Sequence, residues 1–372
     1  MPLKKRNPRI RPVFKVSAID DQEKFKPLPP PTGSYPYRLD IEEILPGIDQ
    51  HQLVFHMAGD TGSLRSPGFQ KLVANEMTRQ YDNESTTADK PQFLFHLGDV
   101  VYNFGQASQY YDQFFSPYKN YPAPVFAIPG NHDADVDPLN TEKPQSLDAF
   151  RAVFCNTAVK PIALAGDTNR KTNIQPNLYW TLRTPLADII GLYSNVPKFG
   201  TVTDEQKNWF VNELKTLSPD KKALIVCIHH APYSADINHG SSLHMQRLLN
   251  EAFAAANVLP DIVFSGHVHN YQRFNKTYPN GKVVPFIVAG AGGYSDLHEL
   301  AEPNDPQFPD ENSLLNDVEL KNYCDEAHGF LKIKLSKEKG GIILSGEYYT
   351  IPHIGLENAG ATLYDSFTVS IN

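Results

Sequence analysis

LVFHMAGDTG (Leu53–Gly62) and FLFHLGDVVY (Phe93–Tyr102) are built alike: an apolar run of strand length, then Gly-Asp. A short aliphatic and aromatic run bounded by glycine reads as a buried strand. The pattern recurs in PVFAIPGNHD (Pro124–Asp133), LIVCIHHAP (Leu224–Pro232) and DIVFSGHVH (Asp261–His269). Each run is followed at once by residues that carry oxygen or nitrogen donors. Further apolar runs lie at Ala187–Tyr193 and Val283–Ala289.

Helical stretches are expected between the runs. Ser66-Pro67 offers an N-cap with proline at the first helical position, opening a helix to about Tyr81. Thr203 with Gln206 forms a capping box ahead of WFVNELKTL. Ser242–Ala256 sets Leu248, Leu249, Ala252 and Phe253 on one face. This alternation predicts an α/β fold with a buried sheet. Towards the C-terminus GFLKIKLS (Gly329–Ser336) and IILSGEYY (Ile342–Tyr349) flank Lys339-Gly340-Gly341 as a hairpin, and LYDSFTVSI adds a last strand. These strands suggest a second sheet packed on the first. Residues 1–50, rich in proline and mixed charge, read as an extended N-terminal arm over a body formed by 51–372. Asp135–Pro176 and the acidic Leu297–Glu326 fit no regular element; the second reads as a solvated excursion or as a rim that screens substrates by charge.

Bulk properties narrow the function. A net charge of −8 without a basic stripe argues against nucleic acid and anionic membranes as partners, and no run approaches a membrane span. Three scattered cysteines make no disulfide framework, although one bridge is compatible with them. The N-terminal MPLKKRNPRIRPVF lacks the apolar segment and cleavage site of a secretory signal. The expectation is a cytoplasmic protein, or a secreted or periplasmic one trimmed from a precursor.

The donors are Asp60, Asp99 with Tyr102, Asn131 with His132, the adjacent His229 and His230, and His267 with His269. Ligand sites of open α/β sheets gather at the carboxyl ends of strands. Alone each motif has a plain explanation: Asp-x-Gly is a common turn, and most tyrosines cap a core. Glycine-flanked polar clusters at strand end after strand end are hard to explain as turns. Asp99 has oxygens enough to bridge two cations, and Asn131 offers a neutral carbonyl. His56 and His96 lie inside strands and are expected to be buried and hydrogen-bonded, not ligands.

The set resembles the calcineurin-like metallophosphoesterase superfamily, and within it the purple acid phosphatases, over about residues 52–295. Most of the superfamily keeps a histidine ligand where this chain has Gly62; purple acid phosphatases lack it and use the tyrosine of Gly-Asp-x-x-Tyr, here Tyr102. The usual aromatic of the first motif is Thr61 here. The resemblance implies a four-layer α/β/β/α sandwich of two mixed sheets. It implies Fe(III) held by Asp60, Tyr102 and His269, a divalent Fe, Zn or Mn held by Asn131, His230 and His267, and Asp99 bridging. The spacing from Val226 selects His229 as the fourth-motif ligand, whereas His230-Ala231-Pro232 followed by His239-Gly240 selects His230; two matches favour His230. His132 and His239 would steady the phosphate and protonate the leaving group. The implied activity is acid hydrolysis of small phosphate monoesters by hydroxide on the metals. Alternatives are a phosphodiesterase or nucleotide hydrolase with two divalent ions, and a non-catalytic binding scaffold.

Overall fold

The apolar runs are strands of two sheets in a computed structural model that describes residues 11–16, 19–65, 68–141, 145–217, 221–303, 305–308, 313–351 and 360–372. The first sheet runs β14 (Thr362–Ile371), β13 (Gly341–Thr350), β12 (Gly329–Glu338), β2 (Gln52–Ala58), β3 (Leu94–His96) and β4 (Val125–Ala127). The second runs β1 (Arg38–Asp40), β5 (Trp180–Arg183), β6 (Ala187–Leu192), β7 (Ala223–Ile228), β8 (Ile262–Ser265), β10 (Val283–Ala289), β9 (Tyr271–Thr277) and β11 (Val318–Cys324). Both are mixed: β2, β3 and β4 pair in parallel, as do β6, β7, β8 and β10, and the C-terminal strands are antiparallel.

The central parallel strands are buried along their whole length, which is why they read as unbroken apolar runs. The antiparallel β12 and β13 instead alternate buried and part-exposed positions. The sheets meet where Trp180 of β5 packs its ring 6.1 Å from Phe95 and 5.8 Å from Phe126 and donates through Nε1 to the Ala127 carbonyl. Burying each such side chain contributes about 2–3 kcal/mol. Helix α1 (Gly68–Asn83) contacts β12; the fourth and fifth helices in the chain, α4 (Asp204–Leu217) and α5 (Leu243–Ala256), pack on each other, with α4 against β6. Helices outside two sheets give the α/β/β/α layering.

Local expectations mostly have their expected cause. Ser242 caps α5 by accepting from the Met245 N–H at 3.1 Å. Before α4 only half of the capping box forms: Thr203 accepts from the Gln206 N–H, but the Gln206 side chain bonds both backbone groups of Tyr193 instead. The Ser66-Pro67 cap lies outside the described residues. Glu338 pairs with Gly341 across the Lys339-Gly340 turn.

The unassigned stretches hold structure. The acidic one contains β11, and Asp135–Pro176 contains α3 (Asp148–Phe154). Within 1–50, Arg38–Asp40 joins the second sheet alongside β5, and the arm before it is fastened by bonds such as Val13 N–H to Ser234 O and Lys26 N–H to Asn195 Oδ1. All three cysteines are free and buried. Among the described residues no helix is long and apolar enough to cross a membrane.

Candidate metal centre

Five strands of both sheets end at one place. Beyond β2 comes Asp60, beyond β3 Asp99 and Tyr102, beyond β4 Asn131, beyond β7 His229 and beyond β8 His267 and His269. The loops are bonded to one another: Asp60 N–H to Gly98 O, Gly59 N–H to Ala289 O, and Gly266 N–H to His229 O. Asp60, Asp99 and His267 adopt φ of 57°, 54° and 68°. Left-handed backbone at non-glycine residues costs free energy and persists at sites that the surrounding structure over-determines. The glycines permit contact closer than any side chain allows. A Cβ on Gly130 would lie 2.1 Å from Asp99 Oδ1, and one on Gly98 2.5 Å from His229 Nδ1.

The donors fall into two groups about Asp99. In the first, Tyr102 Oη lies 3.3 Å from Asp60 Oδ1 and 3.1 Å from His269 Nε2, and Asp60 Oδ1 lies 3.6 Å from His269 Nε2. In the second, Asn131 Oδ1 lies 3.1 Å from His229 Nε2 and 3.0 Å from His267 Nδ1. Asp99 Oδ2 is 3.4 Å from His229 Nε2, and donor atoms of Asp60, Asp99 and His229 all lie within 4.8 Å of one another. Ligands about 2.1 Å from one ion are spaced about 3 Å apart, so these separations fit coordination polyhedra.

The electrostatics have the sign of a cation site. Burial raises the Asp99 carboxyl most strongly, but His229 and His132, by charge and by hydrogen bonds, together outweigh it and hold Asp99 well below the usual range. Burial likewise opposes charge on His229, but Asp99, with Asp60 and the Leu97 carbonyl, raises that imidazole to about 9; the proton it holds is one that a bound cation would displace. Burial drives Asp60 well up, with Asp99 adding to the effect against His229. Burial also holds His267 and His269 far below their ordinary value, hence neutral, as nitrogen ligands must be. It raises the Tyr102 phenol, with Asp99 and Asp60 adding, so a phenolate here requires a strong Lewis acid. Oxygen-rich donors on one side and imidazoles on the other suit a hard trivalent ion beside a borderline divalent one.

His230 was the expected ligand of the fourth motif, but His229 is the one that meets Asp99 and Asn131. The His230 ring turns to Ser194 Oγ at 2.7 Å, and its buried Nε2 has no partner among the described residues. His132 hangs over the Tyr102 ring, its Nδ1 2.9 Å from the Asn103 carbonyl. The His239 ring stands 4.2 Å from that of His267, on a loop whose Asn238, His239 and Gly240 N–H groups all donate to Asp236. His56 bonds Tyr121 and Gln80, and His96 bonds Thr61, as expected of buried core histidines.

Three contributors escaped the sequence reading. His298 stacks on His269 at 4.2 Å and pairs with Asp236 at 3.5 Å; it has no motif to mark it. Tyr294 lies 4.4 Å from both the Tyr102 and His269 rings. Gln113 grips Tyr102 by both backbone groups, at 2.9 and 2.8 Å, and its Oε1 sits 2.6 Å from where a Gly62 Cβ would be.

Comparison with known proteins agrees with this geometry. The calcineurin-like phosphoesterase family matches residues 42–271. Purple acid phosphatase 1 of Ipomoea batatas is 25% identical over 277 residues, 67% of this chain and 52% of that protein. The chain spans about half, or less, of the length of the curated relatives it matches. A purple acid phosphatase from yellow lupin (Lupinus luteus) seeds superposes with a TM-score of 0.57 at 18% identity, covering 86% of this chain and 54% of that one. GAP50, the anchor in the inner membrane complex of Plasmodium, superposes at 0.55 and 18% identity, covering 87% and 90%. With more than half its length matched and the donor loops gathered at its strand ends, the chain belongs to the calcineurin-like phosphoesterase family.

Proposed function

We propose that this protein hydrolyses small phosphate monoesters at a dinuclear centre of Fe(III) and a divalent ion, Fe, Zn or Mn. The observation that carries the reading is the pair of donor groups on either side of Asp99, one of which includes a buried tyrosine. Asp60, Tyr102 and His269 would hold the ferric ion and Asn131, His229 and His267 the divalent one, with Asp99 between them. His229 takes the place of His230 in this assignment because its Nε2 converges with Asn131 and Asp99; His230, with Nδ1 on Ser194 and Nε2 unbonded among the described residues, is the alternative ligand. When bound, the two ions supply Lewis acidity to the phosphoryl group and to an attacking water.

The protein's own groups handle orientation and protons. With its Nδ1 donating to the Asn103 carbonyl, His132 keeps Nε2 for a substrate oxygen. His239 would protonate the leaving alkoxide. Burial pushes that imidazole down to about 3 and Asp236 works against it, so the charge of a bound phosphate is needed to make it an acid. The fold and its relatives' names support the same class; the name of the Ipomoea protein is that of a purple acid phosphatase.

The test is metal analysis joined to a visible spectrum and two substrates. Iron-loaded protein is expected to contain iron with a second metal, absorb in the visible through tyrosinate, and hydrolyse p-nitrophenyl phosphate faster than bis(p-nitrophenyl) phosphate. Tyr102→Phe should lose the colour. A fully metallated, active but colourless protein overturns the iron assignment, and a faster diester rate moves the chain to the diesterases.

A further inference from the structure

A second cavity, of about 410 Å³, opens at the other end of the β4 layer. Val125, the first residue of β4, lines it, whereas Asn131 lies beyond the strand's far end, six residues on. Its volume is that of a small-molecule pocket. Its floor is apolar, with Leu45, Phe114 and Phe154 among the lining side chains. Its charged lining is cationic: Lys119, Arg170 and Lys171 line it, and among the described residues no acidic one does.

Arg170 is the unusual member. Its guanidinium is fixed by three backbone carbonyls, those of Tyr118, Tyr121 and Ala123, with the Tyr121 ring 5.9 Å from its centre. Those bonds use one N–H of each nitrogen, so Nη1 and Nη2 each keep a second. No carboxylate pairs with it among the described residues, and burial pulls it down to about 10 with only Tyr121 and Tyr118 opposing. Half-buried and held by carbonyls alone, the guanidinium keeps donors that an anion could take. Lys119 and Lys171 are exposed at the rim and bond no described acid, so the charged side chains that line the mouth are all cationic.

We propose that this cavity binds an amphipathic anion, a medium-length apolar chain or ring lying on the Leu45–Phe114–Phe154 floor with one carboxylate or phosphate at Arg170, Lys119 and Lys171. The apolar part supplies affinity through buried area, and the cations select the charged head. Neither a neutral molecule nor a small inorganic anion satisfies both halves.

Titration calorimetry with decanoate, decanol and acetate tests this on the metal-loaded full chain, alongside Lys119→Glu/Lys171→Glu. Both substitutions are on exposed side chains away from the donor loops. Decanoate should bind about one per chain, at least tenfold more tightly than decanol or acetate. The double variant should weaken it about tenfold while p-nitrophenyl phosphate turnover stays within twofold of wild type. Equal binding of decanol, or no decanoate binding, overturns the proposal. So does decanoate that competes with p-nitrophenyl phosphate and is indifferent to the charge reversal, because that places the carboxylate on the metals. Decylphosphonate, which has no ester or anhydride bond to hydrolyse, in place of decanoate in the same two proteins distinguishes a phosphate-like head from a carboxylate: the tighter binder that also responds to the charge reversal names the preferred head.

Discussion

At the scale of single residues, the centre turns on two adjacent histidines and one glycine. His229 and His230 lie just beyond β7, and both rings stand near His267, at 5.2 and 4.2 Å, so the choice between them rests on which nitrogen meets the other donors. Motif spacing divides between the two; hydrogen bonding favours His229, whose Nδ1 lies 2.8 Å from Leu97 O and whose Nε2 lies 3.1 Å from Asn131 Oδ1. His229→Ala is expected to lower kcat/KM by roughly 100-fold or more and to deplete the divalent metal, because even outer partners of metal ligands are worth 10–100-fold. His230→Ala should keep both metals and lose roughly tenfold at most; elemental analysis of the two variants decides. Gly62 was read as the absence of a ligand, and its second role was invisible in the sequence. The space its missing side chain leaves is filled by Gln113, and Gln113 is what holds the Tyr102 backbone. Gly62→Ala should therefore shift or weaken the tyrosinate band while leaving protein and iron content in place. An unchanged band in an iron-replete variant would break that link.

Among the elements, the strands were legible because burial on both faces makes them continuous apolar runs, and the donors were legible because glycines flank them. β11 was not, since its Glu319 and Lys321 alternate outward on an edge strand within an acidic stretch. The left-handed turns at Asp60, Asp99 and His267 were not legible either: local propensity disfavours them, and packing imposes them. His56 ties β2 to α1 through Gln80 and to Tyr121, and burial lowers its imidazole to about 3. The folded state thus binds fewer protons than the unfolded chain between pH 3 and about 6.5. Stability from this residue is complete above about 6.5 and is lost as pH falls towards 3, at up to about 1.4 kcal/mol per pH unit. In metal-free protein, urea midpoints at pH 7, 6 and 5 should fall less steeply for His56→Gln than for wild type. Parallel slopes would mean that His56 is not the source.

For the whole molecule, the donor groups join two sheets that are held elsewhere by apolar packing and by a few polar links, such as Arg273 and Tyr271 of β9 to Asp365 of β14. Asp60, Asp99, Tyr102 and Asn131 come from loops of the first sheet; His229, His267 and His269 come from the second. Without cations, two buried carboxylates face each other with His229 as the neighbouring positive group, and His267 Nε2 has no bond partner among the described residues. Ligands that bind only the folded state stabilise it by about 4 kcal/mol at a thousand times Kd. In a chain of 372 residues, that corresponds to a Tm change of about 5 °C for each ion. Chelation should therefore lower Tm by that order, and hydrogen exchange should rise first in the loops after β2, β3, β7 and β8, where both sheets contribute. Metal binding needs neutral histidines and ionised carboxylates, so protons compete with it. The gap between loaded and chelated protein should narrow as pH falls from 7 towards 4, and His229→Ala should already have lost part of it at pH 7. Equal Tm and equal exchange with and without chelator, at pH 7 and full loading, would mean that the ions ride on a prebuilt fold and do not clamp the sheets together.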